Sequence, residues 1–127
     1  TLDLGEVKLP IYNLAAREDH IAPAQSVYTG ATLFGGDMHY VLAGSGHIAG
    51  VINPPSKPKY QYWTGSRPQG SLADWLAAAT EHAGSWWPNW AEWLAAPAPE
   101  KVPARKPGSD KYPPLCDAPG EYVKVKS

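Results

Sequence analysis

The sequence has very little cysteine and almost no excess of charge. Its 127 residues include one Cys, and its 11 Lys and Arg residues nearly balance its 12 Asp and Glu residues. A single Cys excludes an internal disulfide framework. A net charge of −1 gives no general attraction for nucleic acid or for an anionic membrane surface. We therefore expect neither as a partner.

Long hydrophobic runs are also missing. No apolar stretch approaches the roughly 20 residues that a helix needs to cross a bilayer. The first residues lack the charged-then-apolar pattern of a secretory signal. We expect a soluble, intracellular protein without a transmembrane segment.

What the sequence does contain is an α/β pattern in its first third. The apolar segments "VKLPIYNLAA" (7–16) and "MHYVLAG" (38–44) are typical of strands, and "PAQSVYTGATLF" (23–34) between them has helical spacing. This order predicts two parallel strands joined by a crossover helix. Two such strands alone would leave apolar edges open to water, so we expect more strands outside this chain. This chain would then be the C-terminal portion of a larger α/β sheet.

The remainder is richer in proline and tryptophan. Segment 51–70 contains four Pro residues and predicts an irregular connection. Ser71 then predicts the start of a helix that ends near Gly84, and a second, short helix is expected at 88–96. The Pro-rich segment 97–127 predicts an extended tail.

Two ionisable side chains follow the two predicted strands. Asp19 lies just beyond the first strand and His47, in "GSGHIAG", just beyond the second. The carboxyl ends of parallel strands meet at one edge of a sheet, so both side chains should lie there. An acid followed by a histidine is the chain order of an α/β-hydrolase triad, with the nucleophile upstream. His47 is therefore the candidate general base and Asp19 the acid that orients it.

Ordinary structural roles remain open for these histidines and acids. A lone His in a loop is often a partly exposed hydrogen-bonding group, and Asp19 taken alone is typical of a solvated turn. His20 is a candidate for supporting the site from beside Asp19, whereas His39, in a strand, and His82, at a predicted helix end, are expected to be structural. The spacing of these residues matches no compact metal-ligand pattern, so we expect no metal.

The tryptophans and the cysteine also admit two interpretations. Four of the six Trp residues lie within "WWPNWAEW" (86–93). We favour packing against the domain over a stacking platform for sugars or bases, because no basic groove accompanies them. Cys116 lacks the flanking glycines of a nucleophile elbow and is not expected to be a nucleophile.

Several motifs together resemble one enzyme family. They are "REDHIAP", "SGHIAGVINPP", "HAGSWWPNWAEWL" and "APGEYVKVKS". The sequence containing them resembles the C-terminal part of class I polyhydroxyalkanoate synthases, also called poly(3-hydroxybutyrate) polymerases. On this resemblance, residues 1–96 are part of an α/β-hydrolase-type catalytic domain and residues 97–127 are its tail.

The resemblance implies an acyltransferase that polymerises (R)-3-hydroxyacyl-CoA, such as 3-hydroxybutyryl-CoA, into polyester and releases CoA. Coenzyme A enters as a substrate thioester, and no cofactor is implied. Asp19 and His47 would be two members of a Cys, Asp and His triad. The family's nucleophilic Cys, in a Gly-x-Cys-x-Gly elbow, has no counterpart here, so the isolated chain is expected to be inactive. The remainder of the synthase would supply it.

The resemblance further implies a homodimer at the surface of cytoplasmic polyester granules. Two other functions remain open. Another α/β-hydrolase enzyme, such as an esterase or polyester depolymerase, would use water as the acceptor. A non-enzymatic module would contact a granule or partner through the Trp residues and the tail.

Overall fold

The computed structural model describes residues 1–126, which form a mixed four-stranded sheet with three α-helices. The strands are β1 (Ile11–Ala16), β2 (Met38–Ala43), β3 (Gln61–Thr64) and β4 (Thr80–Ala83), in the spatial order β1-β2-β3-β4. The helices are α1 (Ala24–Ala31), α2 (Leu72–Ala78) and α3 (Trp87–Ala95). Short 3-10 turns occur at Leu4–Glu6 and Tyr122–Lys124. None of the helices in this part of the chain is long and apolar enough to span a bilayer.

The predicted crossover is confirmed. Strands β1 and β2 are parallel and in register from Ile11↔Met38 to Ala16↔Ala43, with α1 packed against both. Between α1 and β2 the chain passes close to the N-terminal segment, where a side chain at Gly36 would meet the carbonyl oxygen of Leu9 at 2.1 Å. Only glycine permits that approach.

The expectation of an irregular segment over 51–70 is wrong for residues 61–64. Residues Gln61–Thr64 form β3, which pairs antiparallel with β2 through Leu42↔Trp63. No Pro lies between Pro58 and Pro68, so "QYWT" keeps its backbone donors and brings two aromatic side chains of high strand propensity. The prediction extended the proline-rich character of residues 51–58 to the whole segment.

The helix expected from Ser71 to Gly84 is too long. The Ser71 hydroxyl does accept a hydrogen bond from the Asp74 N–H at 3.1 Å, but α2 ends at Ala78 and β4 follows. His82 therefore lies in a strand and not at a helix end, and Gly84, with φ of +87°, follows β4. Strand β4 pairs with β3 through Tyr62↔His82, and these two rings stack with their centres 4.8 Å apart.

Side chains of β2 build the core on both faces of the sheet. Tyr40 contacts Tyr28 of α1 and Trp75 of α2 edge to face, at 5.2 and 5.0 Å between ring centres. On the opposite face Val41 packs with Trp86, at the start of α3. The chain itself thus supplies two of the strands expected from elsewhere. The outer edge of β1 pairs with no other strand of residues 1–126.

The end of the chain has little regular structure. From residue 97 to residue 126 the described backbone forms the 3-10 turn at Tyr122–Lys124 and no strand or α-helix, and its side chains are nearly all exposed. Cys116 is among the exposed residues of this segment.

Candidate active site

Asp19 and His47 meet at the carboxyl edge of the sheet. The Nδ1 atom of His47 lies 2.8 Å from Oδ2 of Asp19, although 28 residues separate them in the chain. This is a short hydrogen bond of the charge-assisted type. The structure therefore brings together the two side chains that the strand-end pattern predicted would be neighbours.

Backbone pairing beyond the strands positions the two loops. The Arg17 N–H donates to the carbonyl of Ala43 at 2.8 Å, and the Glu18 N–H donates to the carbonyl of Ser45 at 2.9 Å. The parallel ladder of β1 and β2 thus continues for two residues after the last paired strand positions. The loop carrying Asp19 is consequently held alongside the loop that leads to His47.

The Asp19 carboxylate has a partner for each oxygen. Its Oδ1 accepts hydrogen bonds from the backbone N–H groups of Ile21 and Ala22 at 2.8 and 2.9 Å, while Oδ2 takes the bond from His47. The Ala22 N–H is the main cause of a pKa for Asp19 lowered from 3.8 to about 2, with His47 and Ile21 adding to the effect and partial burial opposing it. Asp19 is therefore ionised at neutral pH.

An ionised carboxylate decides which nitrogen of His47 carries the proton. Carboxylate oxygens only accept hydrogen bonds, so Nδ1 must be the donor to Asp19. In neutral imidazole the lone pair is then on Nε2. The His47 side chain is 44% exposed, whereas that of Asp19 is 6% exposed. This is the arrangement of a general base whose free nitrogen can accept a proton while the other is held by an acid.

Close backbone packing shapes the loop that carries His47. A side chain at Gly50 would meet the carbonyl oxygens of Gly44 and Gly46 at 2.6 and 2.8 Å and the Cβ of Ala16 at 3.0 Å. Ser45 adopts φ of 67°, in the left-handed region. The small residues of "GSGHIAG" thus permit a tight turn in addition to leaving His47 accessible.

Comparisons with known proteins place the chain among similar sequences. No family model matches the chain. It is 60% identical over 127 residues to a poly(3-hydroxyalkanoate) polymerase of Methylorubrum extorquens, 54% over 126 residues to the polymerase subunit PhaC of Rhizobium meliloti, and 45% over 128 residues to that of Cupriavidus necator. Each match covers 99% of this chain. The chain is a homologue of poly(3-hydroxyalkanoate) polymerases.

The match confirms the family resemblance seen in the sequence. It covers 21%, 20% and 22% of these relatives, so the chain spans about a fifth of the polymerases it matches. Because the aligned region takes in nearly the whole chain, it includes the loops of both Asp19 and His47.

In the described part of the chain, the hydrogen bonds of Asp19 involve neither His20 nor a metal-binding cluster. His20 is exposed, and the hydrogen bonds of its neighbour Asp19 go to Ile21, Ala22 and His47. No group of three or more His, Cys, Asp or Glu residues within 1–126 is arranged to hold a metal ion.

The two remaining histidines have partners of their own. His39 lies 3.0 Å through Nε2 from Oδ1 of Asn89, and His82 lies 2.8 Å through Nε2 from the hydroxyl of Thr64. These contacts tie α3 to β2 and β4 to β3, respectively.

Sequence reasoning missed the residues that hold the far end of the His47 loop. Asn53 is buried, and its amide donates to the carbonyls of Lys59 and Gly84 at 2.6 and 3.3 Å and accepts from the Lys59 N–H at 2.9 Å. An Asn directly before two prolines was the available signal, because Asn side chains often hydrogen-bond nearby backbone groups.

Proposed function

We propose that this chain is the C-terminal part of an α/β-hydrolase-type catalytic domain of a polyhydroxyalkanoate synthase. The complete enzyme would polymerise (R)-3-hydroxyacyl-CoA, such as 3-hydroxybutyryl-CoA, and release CoA. The observation that carries the proposal is the 2.8 Å pair of Asp19 and His47 in a homologue of poly(3-hydroxyalkanoate) polymerases.

Two features of the sheet support the α/β-hydrolase assignment. The acid and the histidine follow two adjacent parallel strands in that order. Strand β1 has apolar or aromatic residues on both faces and an outer edge that is unpaired within residues 1–126. A parallel strand from the rest of the polymerase would cover that edge.

In the proposed reaction, Nε2 of His47 acts as base in both half-reactions. It first takes the proton of a cysteine thiol supplied by the rest of the synthase, and the thiolate attacks the thioester carbonyl. The C–S bond to CoA breaks, and the imidazolium returns its proton to the departing CoA thiolate. An acyl-enzyme thioester and free CoA result.

The second half-reaction extends the polyester. Nε2 takes the proton of a 3-hydroxyl group, and the oxygen attacks the carbonyl of the acyl-enzyme thioester. The ester bond forms as the cysteine thiolate leaves, and the imidazolium returns its proton to that thiolate. Asp19 accepts the Nδ1–H of His47 throughout, which stabilises the imidazolium that forms in each step. The donors that stabilise the oxyanion would lie in the rest of the synthase.

We also propose how the chain depends on the rest of the synthase and where the complete enzyme acts. The isolated chain would be inactive, because it lacks the elbow cysteine, and Cys116 would not replace it from an exposed position beyond α3. The complete synthase would be a dimer at the surface of cytoplasmic polyester granules, with CoA as leaving group and no resident cofactor.

The test is His47→Ala in the complete polymerase. We expect CoA release to fall by about 10²-fold to 10⁴-fold, the usual contribution of a positioned general base. His20→Ala is the matched control, since its side chain is exposed and directs no hydrogen bond to the pair. Near-normal turnover in His47→Ala would disprove the proposal. If the unsubstituted enzyme releases free hydroxyacid in place of polymer, that result would favour an esterase or depolymerase.

A further inference from the structure

Two adjacent tryptophans at the start of α3 contact the loop that carries His47. The indole N–H of Trp86 donates to the carbonyl of Gly50 at 3.2 Å, and that of Trp87 donates to the carbonyl of Val51 at 3.0 Å. The two acceptors are consecutive and lie three and four residues after His47. A pair of side chains thus holds one short stretch of backbone.

The start of α3 is itself attached firmly to the sheet. Trp86 is 8% exposed and packs with Val41 of β2 and Tyr62 of β3. One turn further along, Oδ1 of Asn89 accepts a hydrogen bond from the Tyr12 hydroxyl at 2.9 Å and lies 3.0 Å from Nε2 of His39. The indole donors are therefore fixed relative to β1 and β2.

The loop transmits that attachment to His47. The Gly50 N–H donates to the carbonyl of Gly46 and the Ile52 N–H to that of Ile48, both at 2.8 Å, so residues 46–52 form two overlapping hydrogen-bonded turns around His47. Fixing the carbonyls of Gly50 and Val51 restrains both turns. The His47 side chain is 44% exposed, so its place depends on this backbone and on the hydrogen bond to Asp19.

We propose that Trp86 and Trp87 are positioning residues for His47. By donating to the loop carbonyls they keep Nδ1 of His47 within hydrogen-bonding distance of Asp19. The catalytic consequence rests on the proposed function, whereas the effect on the loop does not. This role goes beyond the packing that large buried aromatic side chains ordinarily provide.

The test compares three Trp→Phe variants of the complete polymerase. Trp86→Phe and Trp87→Phe remove an indole N–H that donates to the loop and keep an aromatic ring. Trp75→Phe is the matched control, because Trp75 is 4% exposed and its N–H donates to the carbonyl of Ser66 at 2.7 Å on the opposite face of the sheet. Thermal unfolding of each variant shows whether it is folded, and the less buried Trp87 provides a second variant if Trp86→Phe does not fold.

The first readout is amide hydrogen exchange of residues 47–53, followed by mass spectrometry. We expect exchange to be about 10-fold faster in Trp86→Phe and Trp87→Phe. The loss of one hydrogen bond should make local opening of the segment about 10-fold more frequent. The Trp75→Phe control should leave this segment unchanged. The second readout is CoA release. We expect kcat to fall about 10-fold in Trp86→Phe and Trp87→Phe, with KM nearly unchanged.

Each combination of results decides the proposal. Faster exchange together with a lower kcat supports it. The proposal is overturned if exchange of residues 47–53 is unchanged in both Trp86→Phe and Trp87→Phe, whatever the activity. It is also overturned if Trp75→Phe speeds exchange of this segment equally. Faster exchange with normal kcat, in a polymerase that His47→Ala inactivates, also overturns it. If His47→Ala leaves CoA release intact, the proposed function has failed, and the catalytic part of this inference fails with it.

Discussion

Replacing Asp19 by Asn should reverse the hydrogen bond to His47 while leaving the loop in place. The two carboxylate oxygens have separate partners, because Oδ1 accepts from Ile21 and Ala22 and Oδ2 accepts from His47. An Asn side chain can keep its one oxygen on the two backbone donors. Its NH₂ group then faces Nδ1 of His47 and can only donate. His47 would be held with its proton on Nε2, which is the wrong tautomer for a base.

The expected effect on catalysis is large. In the triad of a serine protease, the same Asp-to-Asn change leaves the geometry intact and lowers kcat about 10⁴-fold through the wrong tautomer. We expect a loss of about 10³-fold to 10⁴-fold in the steady rate of polymer elongation. The first release of CoA should fall less, because a low-pKa thiol can remain partly ionised beside His47 without the carboxylate, whereas a 3-hydroxyl is a much weaker acid.

Rapid-quench measurement of CoA separates these phases in the complete polymerase. The burst reports acylation of the cysteine, and the later steady rate reports elongation. Equal losses in both phases would refute the division between them, and no loss in either would remove Asp19 from the site. Asp19→Ala is the structural comparison, because it also removes the acceptor for Ile21 and Ala22 and should loosen the loop before α1.

The lowered pKa of Asp19 provides an independent check by NMR titration. A carboxyl whose folded pKa is about 2, below its ordinary 3.8, stabilises the folded chain fully above pH 3.8. That contribution is lost as the pH falls through about 2. Asp19 should therefore stay ionised from neutral pH to pH 4. A titration midpoint for Asp19 at or above the ordinary 3.8 would contradict the hydrogen bonding described for Oδ1.

Three further substitutions test the loop and the tail. Gly50→Ala should lower the free energy of unfolding by about 1 to 3 kcal/mol, because the added methyl group would overpack against two backbone oxygens. Gly46→Ala should leave it nearly unchanged, because its nearest new contact is 3.5 Å away. Equal urea midpoints for the two variants would contradict this expectation. Ser45→Val should lower the free energy of unfolding by about 1 to 2 kcal/mol, because a left-handed φ disfavours branched side chains. Ser45→Gly should not lower it, and chemical denaturation distinguishes the two variants. Cys116→Ser should leave polymerase turnover nearly unchanged, and a thousandfold loss of CoA release, on the scale expected for a nucleophile, would show that Cys116 takes part in the reaction.

Local sequence patterns were sufficient for the elements that lead to the site. The first two strands and the helix between them follow from apolar periodicity and from Pro23 at the helix start, which are properties of a few consecutive residues. The rule that reactive groups follow the carboxyl ends of parallel strands then placed Asp19 near His47. The hydrogen bond between them agrees with that placement.

Patterns of this kind failed where pairing with a distant segment decided the structure. Strand β3 was masked by the prolines before it, and β4 was predicted as the end of a helix. Both are strands because each finds a partner: β2 for the first and β3 for the second. The assignment of His82 to a helix end was wrong for the same reason, since a strand forms only when its backbone donors and acceptors are paired.

The sequence by itself determined which ionisable side chains follow the first two strands and in what order, because residue types and their spacing are local. Only the tertiary structure decided how those side chains are held. The lowered pKa of Asp19 depends mainly on the backbone N–H of Ala22 in a folded turn. The carbonyls of Gly50 and Val51, after His47, accept hydrogen bonds from indole N–H groups 36 residues further along the chain. Hydrogen bonds over such separations arise from the packing of α3 on the sheet, which no short stretch of sequence encodes.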